Sequence, residues 1–246
     1  MRKAKFILSF LKKLMFQTKV KSTIYVSEKK IENTIENSVI ESDQWTSTES
    51  SLSRRMYTDY DDYLEHQRSK LSKIDLTNYD LKYRSALKER LSALNIFSRG
   101  DSVLCLGARI GTECKAFIDM GCFPIGIDLN PGEKNAYVVH GDFHNLQFAD
   151  ESIDYVFTNA LDHVFDFEKV VSEVIRVLKP SGVLVAEIVA GTQDEHGRKP
   201  GLYESFWWDR SAVVIEKINA HGFLIERKER FTYPWGGDQI IFRKIT

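Results

Sequence analysis

The sequence predicts an α/β fold: a doubly wound, mostly parallel seven-stranded sheet, helices on both faces, and an antiparallel hairpin at one edge. Three observations carry this prediction. From Asp101 onward strand-like and helix-like segments alternate, which implies crossover connections and parallel pairing. The segments SVLCL (102–106) and GVLVAEIV (182–189) are near-continuous apolar runs, as strands buried on both faces are. The last two strand-like segments are separated by little more than Trp235-Gly236-Gly237, a hairpin-type connection.

The elements follow in order. Residues 1–22 carry seven basic residues (Arg2, Lys3, Lys5, Lys12, Lys13, Lys19, Lys21), and no acid precedes Glu28. On a helical wheel Phe6, Ile7, Leu8, Phe10, Leu11, Leu14 and Met15 share one broad side, while Lys5, Ser9, Lys12 and Lys13 fall on the other. That pattern suits a helix lying in an anionic membrane surface. The alternative is a basic tail, or a helix docked on the protein itself. The apolar run is too short to span a bilayer, and no cleavage site marks it as a secretory signal. Residues 23–55, rich in Ser, Thr, Glu and Asn without a sustained period, read as a weakly ordered linker. Residues 56–75 have the apolar content of a short helix. Residues 79–97 place Leu81, Ala86, Leu87, Leu91 and Leu94 near helical spacing. Strands are predicted at 102–106, 123–127, 136–140, 153–158, 183–189, 223–231 and 238–245, and helices at 111–120, 166–178 and 207–221. The domain reading is therefore an N-terminal segment and linker over 1–55 and one domain over 56–246. That domain divides into a helical lead-in (56–100), a nucleoside-binding core (101–190), and a loop, helix and terminal hairpin (191–246).

Composition narrows the function classes. At 246 residues, 43% hydrophobic and 28% charged, the chain has room for one good core. A net charge of −1 argues against a polyanion-binding role for the whole protein. Cys105, Cys114 and Cys122 make no C-x-x-C pair, so a reducing, cytoplasmic setting is expected.

The chemistry concentrates in DSVLCLGARIGTECKAFIDMGCFPIGIDLNP (101–131). It reads as strand, glycine turn, helix and strand, with Asp128 closing the second strand. Gly107 and Gly111 let the backbone pass close to a ligand, and a helix N-terminus follows. A carboxylate at Asp128 can accept both hydroxyls of a ribose. Gly141-Asp142-Phe143 ends a third strand, where Asp142 can take an adenine amino proton beside Phe143. Taken alone, Asp142 reads as a turn aspartate. His140, Asp142 and His144 alternate along this stretch, but no further ligand lies near in sequence and no metal is expected. Asp162-His163 follows the fourth strand, at the rim where a second substrate would sit. His163 there can accept a hydroxyl proton, or the pair can be a polar cap. Tyr203, Phe206, Trp207 and Trp208 either wall an acceptor pocket or begin a helix packed on the sheet.

These motifs resemble those of a class I S-adenosylmethionine-dependent methyltransferase, of the group acting on small molecules, lipids or sugars. LCLGARIG is similar to that family's first motif and GIDLNP to its ribose-binding strand end. GDFHNLQFADESIDYVFTNALDHVFD and EVIRVLKPSGVLVAEI resemble the stretches that follow, all within 101–190. The resemblance implies a Rossmann-like sheet of seven strands with the seventh antiparallel, and S-adenosyl-L-methionine as cofactor. It implies that Gly107, Ala108 and Gly111 approach the methionine moiety and ribose, that Asp128 holds the ribose hydroxyls, and that Leu129 packs by the adenine. Asp142 and Phe143 then meet the adenine edge, and Asn159 lies beside the methionine portion. Two positions depart from the family: Cys105 stands where an acid is usual, and Arg109 where a glycine is. Arg109 points outward or meets the cofactor carboxylate.

The expected activity is methyl transfer to a small-molecule, sugar or lipid-linked acceptor, with Asp162 and His163 as candidate catalytic residues. Two other readings stay open. One is a methyltransferase-like subunit that binds partners without turnover, for which Cys105 and Arg109 speak. The other is an NAD-binding oxidoreductase, which wants a glycine at Arg109 and leaves Asp142 unexplained. A nucleic-acid substrate is disfavoured, because the catalytic region carries no basic stripe.

Overall fold

In the computed structural model, residues 44–49, 51–74, 76 and 78–245 are described. The basic segment 1–22 and the greater part of the predicted linker lie outside them. The main sheet has seven strands: β3 (Ser102–Leu106), β4 (Phe123–Asp128), β5 (Val138–His140), β6 (Ile153–Thr158), β7 (Leu178–Val189), β9 (Phe223–Phe231) and β10 (Gly237–Lys244). Their order is β5-β4-β3-β6-β7-β10-β9. The first five are mutually parallel, and β10 runs antiparallel to both β7 and β9. This is the doubly wound sheet with one antiparallel strand that the alternation of segments implied.

The near-continuous apolar strands have their physical reason in two cores, one on each face. Successive side chains of a strand point to opposite faces. Leu104, Leu106, Val156, Leu184 and Ala186 accordingly join one cluster, while Val103, Cys105, Phe157, Val183 and Val185 join the other. The first face is covered by α4 (Phe167–Val177) and α5 (Ser211–Ala220). In α4, Phe167, Val170, Val171, Val174 and Val177 repeat at helical spacing and are all buried, each contributing roughly 1.5–3 kcal/mol. The Asp166 side chain caps that helix by accepting from the Lys169 N–H at 3.1 Å. The second face is covered by α2 (Tyr79–Leu94) and α3 (Thr112–Asp119), through Tyr83, Leu87, Leu91, Leu94 and Phe117. Asn95, with φ of 53°, stops α2 three residues before the predicted end.

Two expectations fail. Residues 45–55 were assigned to the linker, yet β1 (Trp45–Glu49) and β2 (Leu52–Arg55) form an antiparallel pair. The helix predicted over 207–221 starts only at Ser211, because Phe206–Trp208 is a strand, β8, paired with β2. Both errors share a cause: β2 is the central strand of a three-stranded sheet whose third strand, β8, lies about 150 residues away, so no local pattern marks either. Phe206, Trp207 and Trp208 are core residues at 4%, 3% and 1% exposure, not pocket walls. The indole N–H groups of Trp208 and Trp207 donate to the Val189 carbonyl and to Thr192 Oγ1, at 2.9 and 2.8 Å. The connection from β7 to β8 is thereby clamped at both ends. Asp194 completes the clamp by accepting the N–H groups of Gly191 and Ser211, each at 2.8 Å.

The helix α1 (Tyr60–Arg68) is followed by a 3₁₀ turn (Leu71–Lys73). Asp59 caps α1 by accepting the Asp62 N–H at 2.9 Å. Cys105, Cys114 and Cys122 are buried free thiols. Among the described residues no helix is long and apolar enough to cross a membrane, and no group of ligating side chains could hold a metal ion.

Candidate functional site

The strand order turns at β3, which has β4 on one side and β6 on the other. A doubly wound sheet opens a crevice at such a point, beyond the carboxyl ends of its strands. A cavity of about 510 Å³, its open mouth included, lies there. Gly107, Arg109, Asp128, Leu129, Phe143 and His163, all singled out in the sequence, line it. Tyr63, Gln67, Lys70 and Leu71, from α1 and the turn after it, form its other wall and were not foreseen.

The glycine loop is built by backbone conformation. Gly107 and Gly111 have φ of 66° and 82°, and a Cβ on either would lie 2.7 Å from the Ala160 Cβ or 2.8 Å from the Tyr137 Cβ. A side chain therefore fits at neither. Arg109, where the family places glycine, also adopts a positive φ of 49°, at a cost of roughly 1–2 kcal/mol for an L-residue. Two hydrogen bonds hold it: its N–H donates to Asp128 Oδ2 at 2.9 Å, and its carbonyl accepts from Asn135 Nδ2 at 3.1 Å. Its guanidinium lies 5.8 Å from the Tyr79 ring centroid, a cation–π contact. Ala108 is buried behind the loop, its N–H donating to the Ile127 carbonyl at 3.0 Å.

Asp128 is oriented by backbone on both sides, since Oδ1 accepts the Asn130 N–H at 2.8 Å and Oδ2 that of Arg109 at 2.9 Å. Each oxygen keeps a further lone pair for the cavity. Asp142 sits differently and is not a lining residue. Its Oδ1 accepts from the His144 N–H and Nδ1 at 2.9 and 2.8 Å, and its Oδ2 from the Tyr60 hydroxyl at 2.5 Å. Burial alone would raise this carboxyl; the bonds from His144 and Tyr60 together outweigh it and hold the group below its usual range.

Asn159 turns away from the cavity into a buried polar network. Its Nδ2 donates to the Tyr83 hydroxyl at 2.7 Å and to Glu113 Oε1 at 3.1 Å. Tyr83 donates in turn to Glu187 Oε2 at 2.9 Å, and Glu187 Oε1 takes Arg90 and Gln239 at 2.7 and 3.0 Å. Burial pushes Glu113 up to about 7, against the opposing charge of Arg109 and the Asn159 bond. Glu187 also rises, because burial exceeds what Arg90 returns. Neither acid was singled out from the sequence. The available signals were a glutamate two residues past the glycine loop and a charge inside the apolar run GVLVAEIV.

Asp162 and His163 occupy a 3₁₀ turn, Leu161–His163, just past β6. The structure brings them together less directly than the sequence implied. His163 Nδ1 lies 2.7 Å from the Tyr203 carbonyl, and Nε2 lies 2.8 Å from Lys70 Nζ. Asp162 Oδ1 is 3.8 Å from His163 Nε2, beyond hydrogen-bond reach. That oxygen is buried without a partner, while Oδ2 lies 3.5 Å from Arg198 Nη2. Burial and the neighbouring Lys70 both lower His163, which is therefore neutral near pH 7. Lys70 falls to about 7 through burial and the charge of Arg109, against weaker support from Glu204, Asp162 and Asp128.

Comparison with known proteins agrees with this architecture. Residues 104–186 match a family described as a methyltransferase domain. A sterol 24-C-methyltransferase of Eremothecium gossypii is 32% identical over 122 residues, covering 40% of this chain and 32% of that one. Phosphoethanolamine N-methyltransferase 2 of Caenorhabditis elegans is 27% identical over 154 residues, covering 55% of this chain and 35% of that one. The chain thus spans about a third of the length of these curated relatives. Among solved structures, the 1,6-didemethyltoxoflavin-N1-methyltransferase of Burkholderia thailandensis, determined with S-adenosylhomocysteine bound, aligns with a TM-score of 0.60. That alignment covers 82% of this chain and 100% of the other at 15% identity. A Haloferax volcanii methyltransferase complexed with the activator Trm112 aligns at 0.58, covering 72% of this chain and 98% of the other at 17% identity. At such identities these likenesses concern the fold. The chain has the class I methyltransferase fold, as its motifs implied, and the stretch 104–186 matches a methyltransferase domain within it.

Proposed function

We propose that this protein is an S-adenosylmethionine-dependent methyltransferase acting on a small-molecule, sugar or lipid-linked acceptor. The observation that carries the reading is the pairing of the Gly107–Gly111 loop with Asp128 at the turning point of the sheet. The residues present fit a nucleoside: Asp128 offers fixed acceptor lone pairs to a ribose, and the bare Gly107 backbone leaves space beside it. Leu129 and Phe143 supply apolar surface for the adenine, and Arg109 is a cation for the carboxylate end. Asp142 meets the base only if Tyr60 yields its bond. Asn159 acts from behind, by holding Tyr83 and Glu113. The cofactor supplies a methyl group already activated on sulfur. The chain's own task is then to bind, align the acceptor and exclude water.

The direct test is calorimetry with S-adenosylhomocysteine. Asp128→Ala should weaken binding by more than about tenfold, the order expected when charge-assisted hydrogen bonds are lost. Unchanged affinity, or no binding by the unaltered protein at millimolar concentration, would sink the reading and favour a domain that binds partners without turnover. The basic segment 1–22 supports a peripheral contact with anionic membranes. The full chain should float with phosphatidylserine-containing liposomes while a chain beginning at Gln44 stays behind. Equal flotation would dispose of that contact.

A further inference from the structure

Of the charged side chains that line the cavity, Lys70, Arg109 and Asp128, Lys70 alone is used by neither the motifs nor the cofactor reading. It stands in the turn after α1, on the wall facing Gly107, Ala160 and His163. Its Nζ makes a single hydrogen bond among the described residues, to His163 Nε2 at 2.8 Å. The direction of that bond is fixed. A carbonyl oxygen can only accept, so His163 Nδ1, 2.7 Å from the Tyr203 carbonyl, carries the ring hydrogen. Nε2 is therefore a bare acceptor, and Lys70 donates to it. The neutral imidazole adds no charge.

The charged groups around Lys70 do not neutralise it by contact. Arg109 faces it from the loop after β3, Asp128 from the end of β4, and Asp162 and Glu204 from the turn after β6 and the segment before β8. Glu204 and Asp162 are engaged by Arg198, at 2.8 and 3.5 Å. No carboxylate oxygen comes within ion-pair distance of Lys70 among the described residues. On its remaining side the Tyr203 ring centroid lies 5.5 Å from Nζ. An amine so placed gives one N–H to His163 and, when unprotonated, keeps its lone pair for whatever enters the cavity.

We propose that Lys70 is the catalytic base that takes the proton of the methyl acceptor, with His163 as its positioning residue. The acceptor is accordingly an oxygen or nitrogen nucleophile that loses a proton on methylation. This rests on the methyltransferase reading above. In the step, the acceptor atom bonds to the methyl carbon as the carbon–sulfur bond breaks, with its electron pair left on sulfur. The acceptor's X–H bond breaks with its pair left on X, and the proton passes to Lys70 Nζ. The resulting ammonium stays bonded to His163 and gives its proton to water on product release. A base poised near the working pH is the efficient choice for such a transfer, and the depressed value of Lys70, about 7, meets that requirement.

The first experiment needs no acceptor. In protein carrying lysine labelled with ¹³C at Cε, one resonance should titrate near pH 7, with and without S-adenosylhomocysteine, and should vanish in Lys70→Met. A Lys70 resonance titrating above pH 9 overturns the proposal. The second follows S-adenosylhomocysteine release with a metabolite extract as the source of acceptor. Lys70→Met should lower release about a hundredfold or more at pH 8 and leave S-adenosylhomocysteine affinity within about threefold. Lys70→Arg should stay inactive, because a guanidinium does not deprotonate. Restoration by arginine would make the residue an anion holder and overturn the proposal. His163→Leu should shift the pH midpoint of release and His163→Gln, which keeps an acceptor oxygen, should return it; a midpoint unmoved by either overturns the positioning role. If the unaltered protein fails to bind S-adenosylhomocysteine, the methyltransferase reading fails instead. Where it binds but the extract yields no release, the titration decides.

Discussion

The two walls of the cavity are built by different means. On the cofactor wall, the shaping interactions are backbone conformations and backbone N–H groups: positive φ at Gly107, Arg109 and Gly111, and main-chain donors to Asp128. The partners Arg109 and Asp128 are 19 residues apart. On the acceptor wall, the shaping interactions run between remote segments: Lys70 to His163 across 93 residues, Gln67 to Tyr203 across 136, and Arg55 to Glu204 across 149. A loop whose geometry is fixed by local conformation leaves glycines in the sequence. A wall assembled from distant segments leaves no pattern there.

That difference can be broken or sharpened by substitution. The largest effect belongs to Gly107→Val. It places a β-branched residue at positive φ with its Cβ 2.7 Å from Ala160. We expect about 3 kcal/mol or more of lost stability and no measurable S-adenosylhomocysteine binding, read by urea unfolding and calorimetry. Retained affinity would mean that backbone shape does not build the cofactor wall.

Next is Arg55→Ala. Arg55 is buried and donates to the Glu204 and Gly201 carbonyls and to Gln44 Oε1, each at 2.9 Å. Its loss strands two carbonyls and should cost about 2–3 kcal/mol. It should raise the acceptor KM while S-adenosylhomocysteine affinity stays within about twofold. A parallel fall in cofactor affinity would show that the walls are not separable.

Last is the pH dependence that Glu113 contributes. Its folded-state value is raised to about 7 from an ordinary 4.5. The folded protein therefore keeps a proton that the unfolded chain releases, and stability contributed below pH 4.5 is lost as pH rises to 7. Glu113→Gln should remove that slope and leave the variant more stable at pH 8 by up to about 3 kcal/mol. Urea unfolding at pH 5 and pH 8 measures it; equal slopes would count against a neutral buried carboxyl.

The same contrast explains what could be read from residues alone. The parallel strands were legible because SVLCL and GVLVAEIV are apolar on both faces, and the glycine loop and Asp128 of the cavity because glycines and a terminal aspartate have few other uses there. Asp142 and Asn159 were placed in the right stretch, but their side chains turned to Tyr60 and Tyr83. Those partners come from helices that precede β3 and carry no motif. Phe206–Trp208 was misread as helix because its strand partner, β2, lay in a segment that looked like a linker. Lys70 falls in the stretch 56–75, which reads only as a short helix and carries no motif.

The clamped connection between β7 and β8 has an evolutionary consequence. Its ends are secured by Trp207, Trp208 and Asp194 to groups belonging to the frame. Between those points Glu195, His196 and Lys199 are exposed, while Gly201 and Tyr203 are held by Arg55, Gln67 and His163. A lineage can rewrite the exposed positions, add to them or change their charge without unpicking the sheet. The exposed surface of this connection can therefore diverge among descendants faster than the domain itself.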